Sequence, residues 1–171
     1  MPFDRRISIS LLFGALAAAS SLAQAAGTVE VAFLDPAHYS DAGKDPSEAR
    51  RNEETLDHFL RSLGERYLGA NQVLKIDVID VDLAGTVRPS RRSGINVRIV
   101  RGAADVPHIR LRYSLLEGGT LVQSGEETLT DLNYTRHTSD YSQSSDTLRY
   151  EKRLLADWFK ARFVEHKAAA G

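Results

Sequence analysis

The feature that most constrains the fold is the stretch from Leu74 to Gly85, which reads Leu-Lys-Ile-Asp-Val-Ile-Asp-Val-Asp-Leu-Ala-Gly. Apolar and charged residues alternate through most of it, as in a strand with one buried and one wet face. The phase slips once. Leu74, Ile76 and Val78 share one parity, whereas Val81 and Leu83 occupy the other. A regular strand would expose part of this apolar set, because side chains alternate strictly between faces. One extra residue near Ile79–Asp80, a β-bulge, returns all of them to the core. Asp80 and Asp82 then point to water, beside the arginines of a neighbouring strand.

What surrounds this strand is an ordinary globular sequence. The chain has 171 residues, a formal net charge of −1, 42% hydrophobic residues and no cysteine. That length fits one domain, and folding needs neither a disulfide nor a metal. The near-neutral charge argues against a nucleic-acid binder, which normally carries a basic excess. At the N-terminus, Arg5 and Arg6 precede an apolar run from Ile7 to Leu22, followed by Ala23-Gln24-Ala25. A charged start, an apolar middle and a small-x-small site read as a secretory signal peptide over residues 1–25. A retained membrane helix needs about 20 apolar residues, more than this Ser- and Ala-rich run supplies. Residues 26–171 are therefore expected as a single periplasmic domain without stable membrane insertion. The choice between general and twin-arginine export stays open.

Thr28 to Leu34 alternates as a first strand and stops at Asp35-Pro36. Asp45-Pro46-Ser47-Glu48 then opens a helix, with Asp45 as cap and Pro46 at the first position. Leu56, Phe59, Leu60, Leu63 and Tyr67 follow at helical spacing. Gly64 inside that helix points to close packing, and Gly69 to its end. Beyond the central strand come a basic connection (Thr86 to Gly94) and a strand from Ile95 to Arg101 with Ile95, Val97 and Ile99 inward. A strand from His108 to Leu116 has Ile109, Leu111, Tyr113 and Leu115 inward. Gly118-Gly119 marks a hairpin into a last strand from Thr120 to about Leu129. A polar stretch, Asp131 to Asp146, leads to a second helix, Leu148 to Phe163, with Leu155, Trp158 and Phe159 on its apolar face. The order β-α-β-β-β-β-α predicts an α+β fold: a mostly antiparallel five-stranded sheet with both helices on one face.

Several segments together carry a family resemblance. They are Asp35-Pro36, Asp80-Val81-Asp82-Leu83-Ala84-Gly85, Asn96-Val97-Arg98, Gly125-Glu126, Asp131-Leu132-Asn133-Tyr134, Leu148-Arg149-Tyr150-Glu151-Lys152 and Asp157-Trp158-Phe159. The chain resembles a family of secreted proteobacterial proteins catalogued as domain of unknown function 3016. The resemblance implies a signal peptide followed by one domain, and it carries no reaction, ligand or catalytic residue to transfer. The segment from Thr135 to Ser145 lies outside the pattern.

The candidate binding surface is the outward face of the middle strands, with Asp80, Asp82, Arg98, His108, Arg110 and Arg112. Guanidinium forks there suit carboxylate or phosphate. The competing reading is a solvated ionic ladder in which each pair contributes roughly 0.2–1 kcal/mol. Once Arg98 has paired with one of these aspartates, Arg110 and Arg112 exceed what Asp80 and Asp82 neutralise. Arg88, Arg91 and Arg92 offer a basic turn worth about 1 kcal/mol per charge at an anionic surface. Asn133 and Tyr134, with His137 and Tyr141 further on, offer polar and aromatic groups to a sugar or peptide, or simply join strand to helix. Glu54 and His58 sit one helical turn apart, and His137 lies near Asp140, but neither pair brings a third ligand. No nucleophile elbow, zinc-protease or phosphate-loop motif occurs. The sequence thus points to a non-enzymatic, envelope-associated binding module without cofactor or metal, for an envelope component or anionic ligand. The alternative is a hydrolase of an envelope substrate using Asp80, Asp82 and His137.

Overall fold

The computed structural model describes residues 26–89, 96–102, 105–136 and 146–165. The signal-peptide segment, Arg91, Arg92, His137, Asp140 and Tyr141 lie outside these residues. Strands β1 (Thr28–Phe33), β2 (Gln72–Asp82), β5 (His108–Glu117) and β6 (Thr120–Thr130) form a four-stranded sheet in the order β1-β2-β5-β6. Strands β3 (Thr86–Pro89) and β4 (Asn96–Ile99) form a separate two-stranded hairpin. Helices α1 (Pro46–Tyr67) and α2 (Arg149–Lys160) both contribute to one core against the sheet, and α2 runs on into a π-turn at Ala161–Glu165. The fold is α+β, but the sheet has four strands, not five, and is mixed: β1 joins β2 in parallel, while β2–β5 and β5–β6 are antiparallel.

Two local causes explain the difference. The connection from β1 to β2 passes through α1, and such a crossover delivers parallel strands; Val29 lies beside Leu74 and Val31 beside Ile76 in that sense. At the other end of β2, Gly85 adopts φ 68° and a Cβ there would overlap the Ile99 carbonyl oxygen. This left-handed turn, open to glycine, takes the chain off the sheet. Thr86–Pro89, read as part of a basic connection, becomes β3, and β4 pairs with it instead of extending the main sheet.

The bulge in β2 is present. Val78 pairs with Leu111 and Asp80 with Arg110, so Ile79 is the extra residue. As a result Leu74, Ile76, Val78 and Val81 are all buried, and Leu83 with them. Opposite them α1 is anchored at its start. The Asp45 carboxylate accepts from the Ser47 and Glu48 amides at 3.0 and 2.9 Å. Those bonds to Glu48 and then Ser47 outweigh the little burial it has, and hold its pKa below the usual carboxylate value. Glu48 reaches back to the Lys44 amide at 3.4 Å, one residue beyond the cap. Leu56, Leu60 and Leu63 are buried, and a Cβ on Gly64 would overlap Val29, so this glycine lets α1 lie close on β1. From α2, Leu155, Trp158 and Phe159 fill the same core, joined by Phe163 from the π-turn. Trp158 meets Tyr113 and Phe163 edge-on at 5.6 and 5.4 Å between ring centroids.

Candidate functional site

The wet face of the sheet is built by the bulge. Downstream of Ile79 the register places Asp80 opposite Arg110 and Asp82 opposite His108, while upstream Asp77 faces Arg112. Arg112 also faces Glu126 of β6 and binds it at 3.0 Å. Lys75 pairs with Glu30 of β1 at 3.3 Å. Between these rows lies a shallow depression of about 300 Å³, lined by Lys75, Asp77, Arg112, Ser114, Ser124 and Glu126.

Asp80 does not hold Arg110. Its two carboxylate oxygens accept from the Ser40 amide at 2.8 Å and the Ser40 hydroxyl at 2.9 Å. Arg110 is exposed, and among the described residues it enters no ion pair. The local cation is real, but the expected arginine excess over the face is not. Glu30, Asp77 and Glu126 join Asp80 and Asp82 there, and these acids outnumber Lys75, Arg110 and Arg112.

At the bulged end the face drops into a groove of about 370 Å³ lined by Asp41, Asp82, Asp105, His108, Leu132 and the turn at Gly85. Asp41 bridges Asp82 in parallel through backbone bonds to Val81 and Leu83. Partial burial pushes the Asp82 carboxyl above its ordinary value; nearby His108, 3.8 Å away, opposes this, and Asp41 and Asp80 add to it.

Two candidate residues lie elsewhere. Arg98 was expected on the wet face, yet its side chain is 3% exposed and binds Glu151 of α2 at 2.8 Å. Ile99, expected inward, is 44% exposed, so β4 presents the opposite parity to that read from the sequence. The same Glu151 oxygen accepts from the Ala84 amide at 2.8 Å, tying the end of β2, the hairpin and α2 together. Tyr134 is buried in a small second core with Ala84 and Val106; its hydroxyl donates to the Gly102 carbonyl at 3.0 Å and its ring meets Tyr150 edge-on. Asn133 is exposed, its amide bound to the Asp131 carboxylate, and Arg88 is exposed on β3. Asp80, Asp82, Arg110 and Arg112 are thus brought together on the sheet; Arg98 and Tyr134 are interior.

Asp77 and Lys75 could have been found from the parity of β2, but Glu126 could not: counting from the Gly118-Gly119 turn sets Gly125 opposite Arg112, and only the register shift at Val122 brings Glu126 there. Nothing in the sequence marks Ser40, and Glu151 stands out only within the family-like segment Leu148-Arg149-Tyr150-Glu151-Lys152. Glu54 and His58 border a small surface depression with Phe33, Arg50, Glu53 and Asp57. Among the described residues no three His, Asp or Glu side chains are grouped to hold a metal, and no helix is long and apolar enough to cross a membrane.

Fold and surface together define an α+β protein with an open, charge-alternating sheet face. The chain belongs to the family described as "Protein of unknown function (DUF3016)", whose model matches residues 27–161. No curated protein matches the chain in sequence. Among solved structures it is similar to the PelC dodecamer from Paraburkholderia phytofirmans, at 16% identity and a TM-score of 0.36, covering 78% of this chain and 83% of that one. It is also similar to a minor lipoprotein from Acinetobacter baumannii, at 9% identity and a TM-score of 0.26, covering 83% and 93%. Likenesses this distant carry no functional argument.

Proposed function

We propose that this is a periplasmic, non-enzymatic binding module that receives an anionic group of an envelope component on its sheet face, at Arg110 with Arg112 beside it. The observation that carries the reading is the diversion of Asp80 to Ser40, which leaves the Arg110 fork facing solvent with no carboxylate bound to it among the described residues. A guanidinium in that state offers a planar, charge-assisted bond to carboxylate or phosphate. Since the surrounding face is acidic on balance, recognition rests on this local fork and its neighbours, not on a broad positive field. The periplasmic placement is supported by the N-terminal pattern of Arg5-Arg6, apolar run and Ala23-Gln24-Ala25.

The test is reversal of both arginines, R110E/R112E. Crosslinking and pull-down from intact periplasm should recover a component with the wild type and lose it with the variant. The melting temperature should fall only modestly, because the broken Arg112–Glu126 pair is about half exposed and worth roughly 0–1 kcal/mol, and each new like-charge pair with Asp77, Asp80 or Glu126 costs a similar amount. Retained capture, or a collapse of stability, would sink the proposal.

The groove favours a second reading, a hydrolase in which Asp82 and His108 share a cavity and the raised Asp82 carboxyl serves as proton donor. On that reading D82N abolishes turnover of an envelope substrate while R110E/R112E leaves it intact.

A further inference from the structure

We infer that β6 is a pairing edge for a second copy of this chain, joined antiparallel about a two-fold axis through Gly125. The two edges of the sheet are unlike. β1 spans six residues, is stopped by Asp35-Pro36, and has its Val29 carbonyl taken by Arg61 of α1 at 2.7 Å. β6 spans 11 residues and contains no Lys, Arg or Pro; its two charges, Glu126 and Glu127, are held by Arg112 and Arg162 of the same chain, and its one bulge lies near its start. Among the described residues, no element other than β5 hydrogen-bonds its backbone. Leu121 and Val122, at its start, are 57% and 52% exposed.

The sequence of β6 selects both occupant and register. A two-fold axis perpendicular to a sheet keeps each residue on its own face, so only registers centred on a residue are open. Centring on Glu126 or Glu127 sets like charges directly opposite each other, which is unfavourable. The register shift against β5 makes Val122 an extra residue, so a centre at Ser124 leaves little regular strand to pair. Centring on Thr128 sets Glu127 opposite Leu129, which offers it no hydrogen bond; centring on Gly125 avoids all of these faults. Ser124 then faces Glu126 of the second copy and Gln123 faces its Glu127, so each carboxylate meets a hydrogen-bond donor. The product is one eight-stranded sheet with both wet faces on the same side.

Sedimentation equilibrium of the purified protein over a range of concentrations should show a monomer–dimer equilibrium. S124E places two carboxylates opposite each other twice by symmetry and should raise the dissociation constant about tenfold. S124K, facing Glu126, should not weaken it. Because the chain has no cysteine, mixing the single variants S124C and E126C supplies an independent check. Residues directly opposite lie within disulfide reach, so the mixed disulfide should form in preference to either homodisulfide. A wild type monomeric at all concentrations, equal effects of S124E and S124K, or a preference for homodisulfides would each overturn the inference. A strand supplied by a different protein predicts the first of these.

Discussion

Arg98 and Glu151 can be buried only together. Removing either charge from water costs several kcal/mol, and the pair offsets this through direct contact and the Ala84 amide. The balance is incomplete: Glu151 Oε2 and Arg98 Nε are buried without a partner among the described residues. Burial accordingly pushes the Glu151 carboxyl up, against the opposing pull of Arg98 and then of the Ala84 amide. R98A, which strands the carboxylate, should lower unfolding free energy by about 3–5 kcal/mol in urea melts. The double replacement R98M/E151L, keeping the volume and removing both charges, should recover most of that loss. A cost for R98A below about 1 kcal/mol would mean that the pair is solvated. Hydropathy could not have shown this contact. Arg98 sits at the polar parity of its strand and Glu151 on a charged turn of its helix, so each half, 53 residues from the other, reads as solvent-facing.

The elements differ in how plainly they were written. β2 was legible to the residue, because a parity slip in a long apolar–charged alternation has a simple geometric remedy. Deleting Ile79 should turn Asp80 and Asp82 inward and Val81 and Leu83 outward, a penalty on the scale of the whole stability of a small protein, about 5–15 kcal/mol. The deletion variant should show no cooperative thermal transition by circular dichroism. Ile79→Ala, which keeps the extra residue, should cost under about 2 kcal/mol. The N-cap of α1 and the glycine hairpin before β6 were equally readable, since Asp-Pro and Gly-Gly act through local chemistry; the end of α1 was not, for it stops at an extended Leu68 and not at a left-handed Gly69. The place of β1, the partner of β4 and the existence of β3 were not. They depend on where Gly85 sends the chain, and four-residue strands carry too little pattern to declare themselves. Within the candidate site, Asp80, Asp82, Arg110 and Arg112 followed from the bulge, whereas the role of Ser40 came from a loop that folds back 40 residues ahead of its partner.

Across the whole molecule the carboxylates pull stability in two directions as pH changes. Asp45, held low by the Glu48 and Ser47 amides, contributes above the ordinary carboxylate value, and that contribution is lost as pH falls through its folded pKa. Asp82 is raised by burial, so its contribution is present below the ordinary value of 3.8 and is lost as pH rises through its folded pKa. The melting temperature of D82N minus that of wild type should therefore increase as pH climbs through the interval just above 3.8 and then level off. A difference that stays flat would show Asp82 titrating as a free carboxyl group. The aromatic packing at the end of α2 has a further consequence. Trp158 is the chain's sole tryptophan, and it is enclosed by Tyr113, Phe159 and Phe163. Its ultraviolet emission is therefore a gauge of one event, the seating of the last helix on the sheet. Any species in which that helix lifts away while the strands stay paired will announce itself as a red-shifted spectrum over an unchanged β signal.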